Sequence, residues 1–387
     1  MFESLQKLQI DPIFALMQQY ERDENPQKVN VGIGIYRDIK GKPFVFDCIK
    51  KAIGCVRNNN FEYESMGGNQ QFLAHTAKLF LGEDFDSEKL SLQQACGGTH
   101  ACRLFADLYL RNNILGSVKN KPKILLSTPS WGNHFGIFKD FEVVKFSHLD
   151  ENKAFNFSEY LAQVQAHPNS VLLLHGGRTH NPTGENFTLS QLEILAEKCN
   201  ENQVFVFVDF AYLGLGKSIL EDRKYLQILY KKCVQMAFGV SFSKNASLYK
   251  QRLGALFIKT NGVNEKEILE SNQQNLIRES LSNLPIYPAE VMNIVFENFY
   301  EDWVSELGLV CADIALRRKR LLGPLPARFS YLKNGQGMFG LLGLSQAQVL
   351  ELREVYSIYM MADSRINFAG VREQDFDYLV HNIKKVL

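Results

Sequence analysis

The stretch Ser241-Phe-Ser-Lys244-Asn-Ala-Ser-Leu-Tyr-Lys-Gln-Arg252-Leu-Gly254 is the one from which the rest of this chain is read. It continues the apolar, strand-like run from Met236 to Phe242, so Lys244 stands at a strand end between small polar residues. A lysine is ordinarily a surface cation, and its amine becomes a nucleophile only when desolvation or a cationic neighbour depresses its pKa. Ser241 and Arg252 on either side have the chemistry to hold a phosphate. A lysine beside a phosphate-bearing aldehyde points to pyridoxal phosphate (PLP). Taken alone, the segment reads first as a solvated loop lysine, and other segments have to decide.

Upstream and downstream of it, short apolar runs alternate with longer amphipathic ones. Strands are predicted at Lys123–Ser127, Val143–Ser147, Val171–His175, Val204–Asp209, Gln235–Phe242 and Gly254–Lys259. Helical patterns lie between, such as Ala101–Asn113 and Leu189–Asn202. Runs like Val-Phe-Val-Phe-Val carry no polar alternation, which is the pattern of strands covered on both faces. The expected fold is α/β, a mostly parallel central sheet flanked by helices, plus a smaller α+β part. Ligands of such sheets gather beyond the carboxyl ends of the strands. Asp209, Lys244 and the Gly97-Gly98-Thr99 turn all fall at such positions.

After Pro288 the texture changes. Ala289–Leu322 reads as one or two long helices, ending in Arg317-Arg318-Lys319-Arg320, charges favourable near a helix C-terminus and read here as a solvated cluster. Phe329–Leu332 and Met338–Leu342 are predicted strands, Gln346–Met360 a helix, Arg365–Ala369 a strand, and a last helix closes the chain. The expected division is a large domain over 46–311 and a small one from 1–45 with 312–387.

Composition narrows the function. With 387 residues and 45% hydrophobic content the chain can bury a large core, and a net charge of +1 calls for neither nucleic acid nor an anionic membrane. Seven scattered cysteines without a C-x-x-C pair fit reduced thiols in the cytoplasm. Met1–Asp11 lacks the apolar core of a signal peptide. No apolar run approaches the ~18 residues of a membrane span.

Five further segments carry chemistry. Asp209 ends an apolar strand, a costly place for a carboxylate unless a cation meets it. It either caps the next helix or keeps a pyridine nitrogen protonated, making the ring an electron sink, with Tyr212 in reach of the ring oxygen. His175-Gly-Gly-Arg-Thr-His180-Asn181-Pro-Thr-Gly184 is a turn by composition and offers Asn181 as a second donor to that oxygen. The two histidines, on a glycine-rich turn with no acid or cysteine nearby, do not make a metal site. Cys96-Gly97-Gly98-Thr99-His100 leads into a helix whose free N–H groups can receive a phosphate. In Pro129-Ser-Trp131-Gly-Asn-His134, Trp131 either packs in the core or stacks on a ring, and His134 can bond Asp209. Arg365, in Ser364-Arg365-Ile-Asn-Phe-Ala-Gly370, is either a surface edge residue or a fork for a carboxylate. Gly32-Ile-Gly34 lacks the third glycine of a dinucleotide fingerprint, which argues against a dehydrogenase.

In their order along nearly the whole chain, these motifs resemble the aspartate/aromatic aminotransferases, the class I enzymes of PLP fold type I. The resemblance implies roles residue by residue. Lys244 forms the covalent link to PLP and, once displaced, carries the proton between the substrate Cα and the cofactor's aldehyde carbon. Asp209 pairs with the ring nitrogen with His134 behind it, Asn181 and Tyr212 contact the ring oxygen, and Trp131 stacks on the ring. Gly98, Thr99, Ser241 and Arg252 bind the phosphate. Arg365 takes the substrate α-carboxylate, and Gly34, Trp131 and Asn181 line the substrate position. Tyr63 matches a tyrosine that reaches the phosphate in the neighbouring subunit, and Arg278 an arginine lent across a homodimer to the distal carboxylate. The small domain is then the part that closes on substrate.

The chain departs from that pattern in four places. The turn before His180 is one residue longer and holds Arg178; His100 replaces a glycine; Ala246-Ser247 replace Phe-Gly; Leu281 and Leu284 replace a tyrosine and a proline. Arg278, Thr99 and Asn283 favour aspartate with 2-oxoglutarate, exchanged in ping-pong fashion. The alternatives are an aromatic or dual-specificity aminotransferase, another PLP reaction such as β-elimination, and a non-catalytic protein on the same fold.

Overall fold

A computed structural model describes residues 2–8, 10–57, 62–112 and 121–387. The chain forms two compact units, Val45–Ala312, and Met1–Phe44 with Asp313–Leu387. The larger unit is built on seven strands: β1 (Leu90–Ala95), β2 (Lys123–Thr128), β3 (Glu142–Ser147), β4 (Val171–His175), β5 (Phe205–Phe210), β6 (Met236–Ser241) and β7 (Gly254–Lys259). Their spatial order is β1-β7-β6-β5-β4-β2-β3. The five strands β3, β2, β4, β5 and β6 run parallel, and β7 is antiparallel to both β6 and β1.

The apolar runs explain the layering. β4, β5 and β6 are buried at every residue, which requires cover on both faces. On one face the helix α1 (Gly97–Asn112) supplies Phe105, whose ring stacks on Phe207 of β5 at 4.1 Å. The predicted end of that helix, Asn113, lies outside the described residues. The helix α2 (Leu189–Glu201) begins on a capping box between Thr188 and Gln191, which satisfies two donors that a helix start leaves orphaned.

Strand β1 escaped the sequence reading because its sequence, Leu-Ser-Leu-Gln-Gln-Ala, does not look buried. Its polar side chains are buried and partnered. Ser91 donates to Gln273 (2.8 Å), Gln93 to the Met66 carbonyl (2.9 Å), and Gln94 to the Pro285 carbonyl (2.9 Å) while accepting from the Asn69 N–H. A paired polar group can be buried at little cost, and no local pattern announces the partner.

The smaller unit corrects several expectations. Phe329–Leu332 is not a strand but part of a 3-10 turn over Ala327–Lys333. Its buried residues, Phe329 and Leu332, are three apart, the repeat of that helix. The helix starting at Gln346 stops at Glu354, because Ile358–Tyr359 leave it to pair in parallel with Val29–Asn30. Arg365–Asn367 pair antiparallel with Phe339–Leu341, and Phe368–Gly370 then turn. Ala289–Leu322 resolves into two helices, Tyr287–Asn298 and Tyr300–Leu322.

The basic cluster is only half solvated. Arg317 and Arg318 are buried: Arg317 meets Asp313 at 2.6 Å and the carbonyls of Ala369 and Val371, while Arg318 donates to Leu332 and Phe339 carbonyls. Buried guanidinium groups need acceptors of this kind.

Candidate active site

Asp209 is the last-but-one residue of β5. Its strand neighbours in register are His175 on β4 and Gly239 on β6. The carboxylate is buried, and its Oδ2 lies 3.0 Å from His134 Nε2 and 3.0 Å from His175 Nδ1. Burial alone would raise its pKa. The two imidazoles more than offset that and hold the carboxyl below its usual range. The opposite holds for His134, where burial pushes the imidazole down to about 4 in spite of Asp209. His134 Nδ1 is bonded to Ser130 Oγ at 2.9 Å, so both ring nitrogens are committed. The result is a carboxylate held ionised at the sheet's carboxyl edge, between two imidazoles.

Sequence reasoning linked His134 to Asp209 but overlooked His175 as a partner. The signal was present: both residues end neighbouring buried runs, and the parallel register sets them side by side. Two more buried imidazoles extend the cluster. His148 and His180 stack at 3.7 Å; His148 bonds Tyr160 OH (2.8 Å) and His180 bonds Thr183 (2.9 Å). Cys102 adds a buried thiol within 4.8 Å of the ligating atoms of His134 and Asp209.

The start of α1 lies across the ends of β5 and β6. A Cβ added at Gly98 would lie 3.2 Å from the Ser241 Cβ and 3.8 Å from Asp209 Oδ1, so a side chain would crowd this junction. Gly97 has φ +81°, and a Cβ there would come 2.5 Å from an Arg252 nitrogen. The backbone N–H groups of a helix start, Ser241 and Arg252 therefore converge. Arg252 donates to Ser243 Oγ at 3.0 Å, and the Ser243 N–H donates to Ser241 Oγ at 3.2 Å. Ser243 was not foreseen as part of this group. A helix N-terminus, two hydroxyls and a guanidinium form a donor set suited to a phosphate dianion.

Lys244 lies three residues past the end of β6 and is half-buried, with Nζ 4.8 Å from the Tyr249 ring centroid. The segment is anchored one residue on, where the Asn245 carbonyl accepts from the buried Trp303 indole at 2.8 Å. Asn181 Nδ2 donates to Tyr212 OH at 3.2 Å, and both residues are buried. The Trp131 indole lies nearly parallel to the His175 ring, 6.4 Å between centroids. A buried carboxylate, a phosphate-type donor set, a paired Asn–Tyr and a lysine at a strand end fit a phosphorylated pyridine aldehyde.

Two predicted residues lie at the surface of the larger unit. Tyr63 is 88% exposed, and Arg278 is exposed with Nη1 bonded to Ser282 Oγ at 2.7 Å. Asn283, just past the helix Val263–Ser280 that carries Arg278, donates to the carbonyl of Glu64, next to Tyr63, at 2.8 Å. In the smaller unit, Arg365 is buried, donates to the Gly32 carbonyl at 2.6 Å and lies over the Phe339 ring. Gly34 is next to that same ring.

Comparison with known proteins agrees with this geometry. The family described as aminotransferase class I and II matches residues 26–383, and the chain belongs to it. It is 33% identical to the mitochondrial aspartate aminotransferase of Dictyostelium discoideum over 97% of this chain and 91% of that protein. It is 31% identical to the aspartate aminotransferase of Escherichia coli K12, with both chains covered fully. Among solved structures, the aromatic-amino-acid aminotransferase of Burkholderia pseudomallei covalently bound to pyridoxal phosphate superposes with a TM-score of 0.93 at 30% identity, covering 100% of this chain and 99% of that one. The fold is that of the fold-type I aminotransferases, and the chain is a transaminase.

Proposed function

We propose that this PLP-dependent transaminase moves the amino group between L-aspartate and 2-oxoglutarate, giving oxaloacetate and L-glutamate in two half-reactions. PLP supplies an aldehyde for the substrate amine and a ring that accepts electrons from Cα. The observation that carries the reading is the buried Asp209 between His134 and His175, at the strand edge from which Lys244 follows.

Each residue then has a task. Asp209 keeps the ring nitrogen protonated, because an adjacent fixed negative charge raises that nitrogen's pKa; His134 and His175 keep the carboxylate ionised. Lys244 would hold the aldehyde end of the cofactor, and its free amine would take the Cα proton and return it. Asn181 and Tyr212 bond the ring oxygen, and Trp131 covers the ring. Gly98, Thr99, Ser241 and Arg252 hold the phosphate. Arg365 grips the α-carboxylate with its two-pronged fork, and Gly34 lines the substrate position.

Arg278 and Tyr63 are proposed to serve the site of a second copy of the chain, which makes the enzyme a homodimer. Their exposure and the link through Asn283 support this, since a distal-carboxylate reader that faces solvent in its own chain needs another chain to read for. Seven unpaired thiols favour a reducing compartment, and we place the enzyme in the cytoplasm. No helix among the described residues is long and apolar enough to cross a membrane.

Aspartate preference is supported by full-length relatives of that name, and by Arg278, Thr99 and Asn283. The second reading is an aromatic or dual-specificity enzyme, favoured by the Burkholderia structure. The deciding experiment adds L-aspartate or L-tyrosine to the purified enzyme and follows the cofactor's absorbance. Conversion at much lower aspartate concentration is expected. Equal or better conversion by tyrosine assigns the aromatic branch, and absence of any cofactor band refutes the catalytic reading.

A further inference from the structure

The phosphate-type donor set contains a residue that the family pattern does not provide for: His100, in the first turn of α1. Its Nδ1 accepts the backbone N–H of Cys96 at 2.9 Å. The carbonyl of the same residue accepts from Arg252 Nη2 at 3.5 Å. The hinge residue Cys96, between β1 and α1, is therefore held at its nitrogen by His100 and at its carbonyl by Arg252. The next residue, Gly97, has its left-handed backbone pressed so closely on Arg252 that a Cβ would come 2.5 Å from the guanidinium. Any slack at Cys96 would be transmitted to Gly97, to Arg252 and to the N–H groups of Gly98 and Thr99.

A side chain one turn into a helix that reaches back to an N–H before it is normally a glutamate or glutamine. A glutamate here would place a negative charge at a helix start that has to receive a phosphate. An imidazole accepts the same hydrogen bond without charge, and burial keeps its pKa below the ordinary histidine value.

We propose that His100 is a positioning residue for the cofactor phosphate: it pins the Cys96 peptide as a neutral acceptor and so preorganises Gly98, Thr99 and Arg252. The proposal rests on the PLP reading above. It does not place His100 in contact with the cofactor.

The test is direct binding to the apoenzyme, read from the cofactor's absorbance and fluorescence and independent of turnover. The probes are PLP, pyridoxal and inorganic phosphate. His100→Ala should weaken PLP and inorganic phosphate by about three- to tenfold, the range of one lost hydrogen bond, and leave pyridoxal unchanged. His100→Asn, whose Oδ1 occupies the place of Nδ1, should restore PLP binding. His100→Asp restores the acceptor but adds a charge, so it should bind PLP more weakly than His100→Asn, with the gap narrowing as salt screens it. If His100→Ala does not fold, the Asn and Asp variants decide by their difference.

Wild-type affinity in His100→Ala, or an equal loss for pyridoxal and PLP, overturns the role assigned to His100. Equal PLP binding by the Asn and Asp variants overturns it too. A wild-type chain that binds no PLP overturns the cofactor reading instead, and the two failures are told apart by the wild-type control.

Discussion

The surroundings of Asp209 and the surface that carries Tyr63 and Arg278 are opposite kinds of site. Asp209, His134 and His175 are buried, interlocked at 3.0 Å and fixed by the register of adjacent strands. Arg278 and Tyr63 face solvent, and Arg278 has a single bond to Ser282. The first region is built within one chain and, on the proposed reading, would act on any amino-acid substrate alike. The second has the chemistry of a specificity element but is left open. On the proposed reading, the chemistry common to the family would be housed in the core, and the choice of substrate would lie at a surface completed by a second copy.

Removing the centre of the first region should have the largest effect. Lys244→Ala should abolish transamination of every substrate, by about a millionfold or more, while PLP still binds; near-wild-type turnover would refute the mechanism. Asp209→Asn should lower kcat by about a thousandfold, the scale of losing a preorganised electrostatic partner, and aspartate and phenylalanine should suffer alike. If only one substrate suffers, Asp209 reads substrate and does not tune the ring.

The second region should respond selectively. Arg278→Leu should lower kcat/KM for aspartate by about a hundredfold or more and phenylalanine far less, since a site built to pair a charge discriminates strongly. Mixing the inactive Lys244→Ala chain with Arg278→Leu chains should restore aspartate activity, because one of the two shared sites regains both residues. Absence of recovery would place Arg278 in its own chain's site.

The smallest effect sharpens the contrast through pH. Burial lowers His148 to about 3, whereas an unfolded histidine titrates near 6.5. Between those values the unfolded chain binds the extra proton, so stability rises with pH across that window and falls on acidification. His148→Gln should flatten the pH dependence of the apoenzyme's unfolding free energy, measured by urea titration between pH 4 and 6, by up to about 1.4 kcal/mol per pH unit. An unchanged slope would show that His148 is already charged in the folded chain.

Much of this molecule could be read locally. Buried strands such as Val204–Asp209 announce themselves by unbroken apolar runs, and the lysine, aspartate and glycine turns fall where such strands end. The pairing of His134 with Asp209 followed from chemistry alone. Other features were decided only by distant parts of the chain. Strand β1 hides Ser91, Gln93 and Gln94 because Gln273, Met66, Asn69 and Pro285 receive them. Phe329–Leu332 turned instead of extending, and Ile358–Tyr359 left a helical pattern to pair with Val29–Asn30. Arg317 and Arg318 look like surface charges until the carbonyls of Ala369, Val371, Leu332 and Phe339 surround them. By itself the sequence determined which chemistry-bearing residues exist and at which strand ends they stand, because periodicity and turn composition are local. Tertiary structure alone decided which polar groups are buried and with whom, because a hydrogen-bond partner on another element of the fold leaves no local mark.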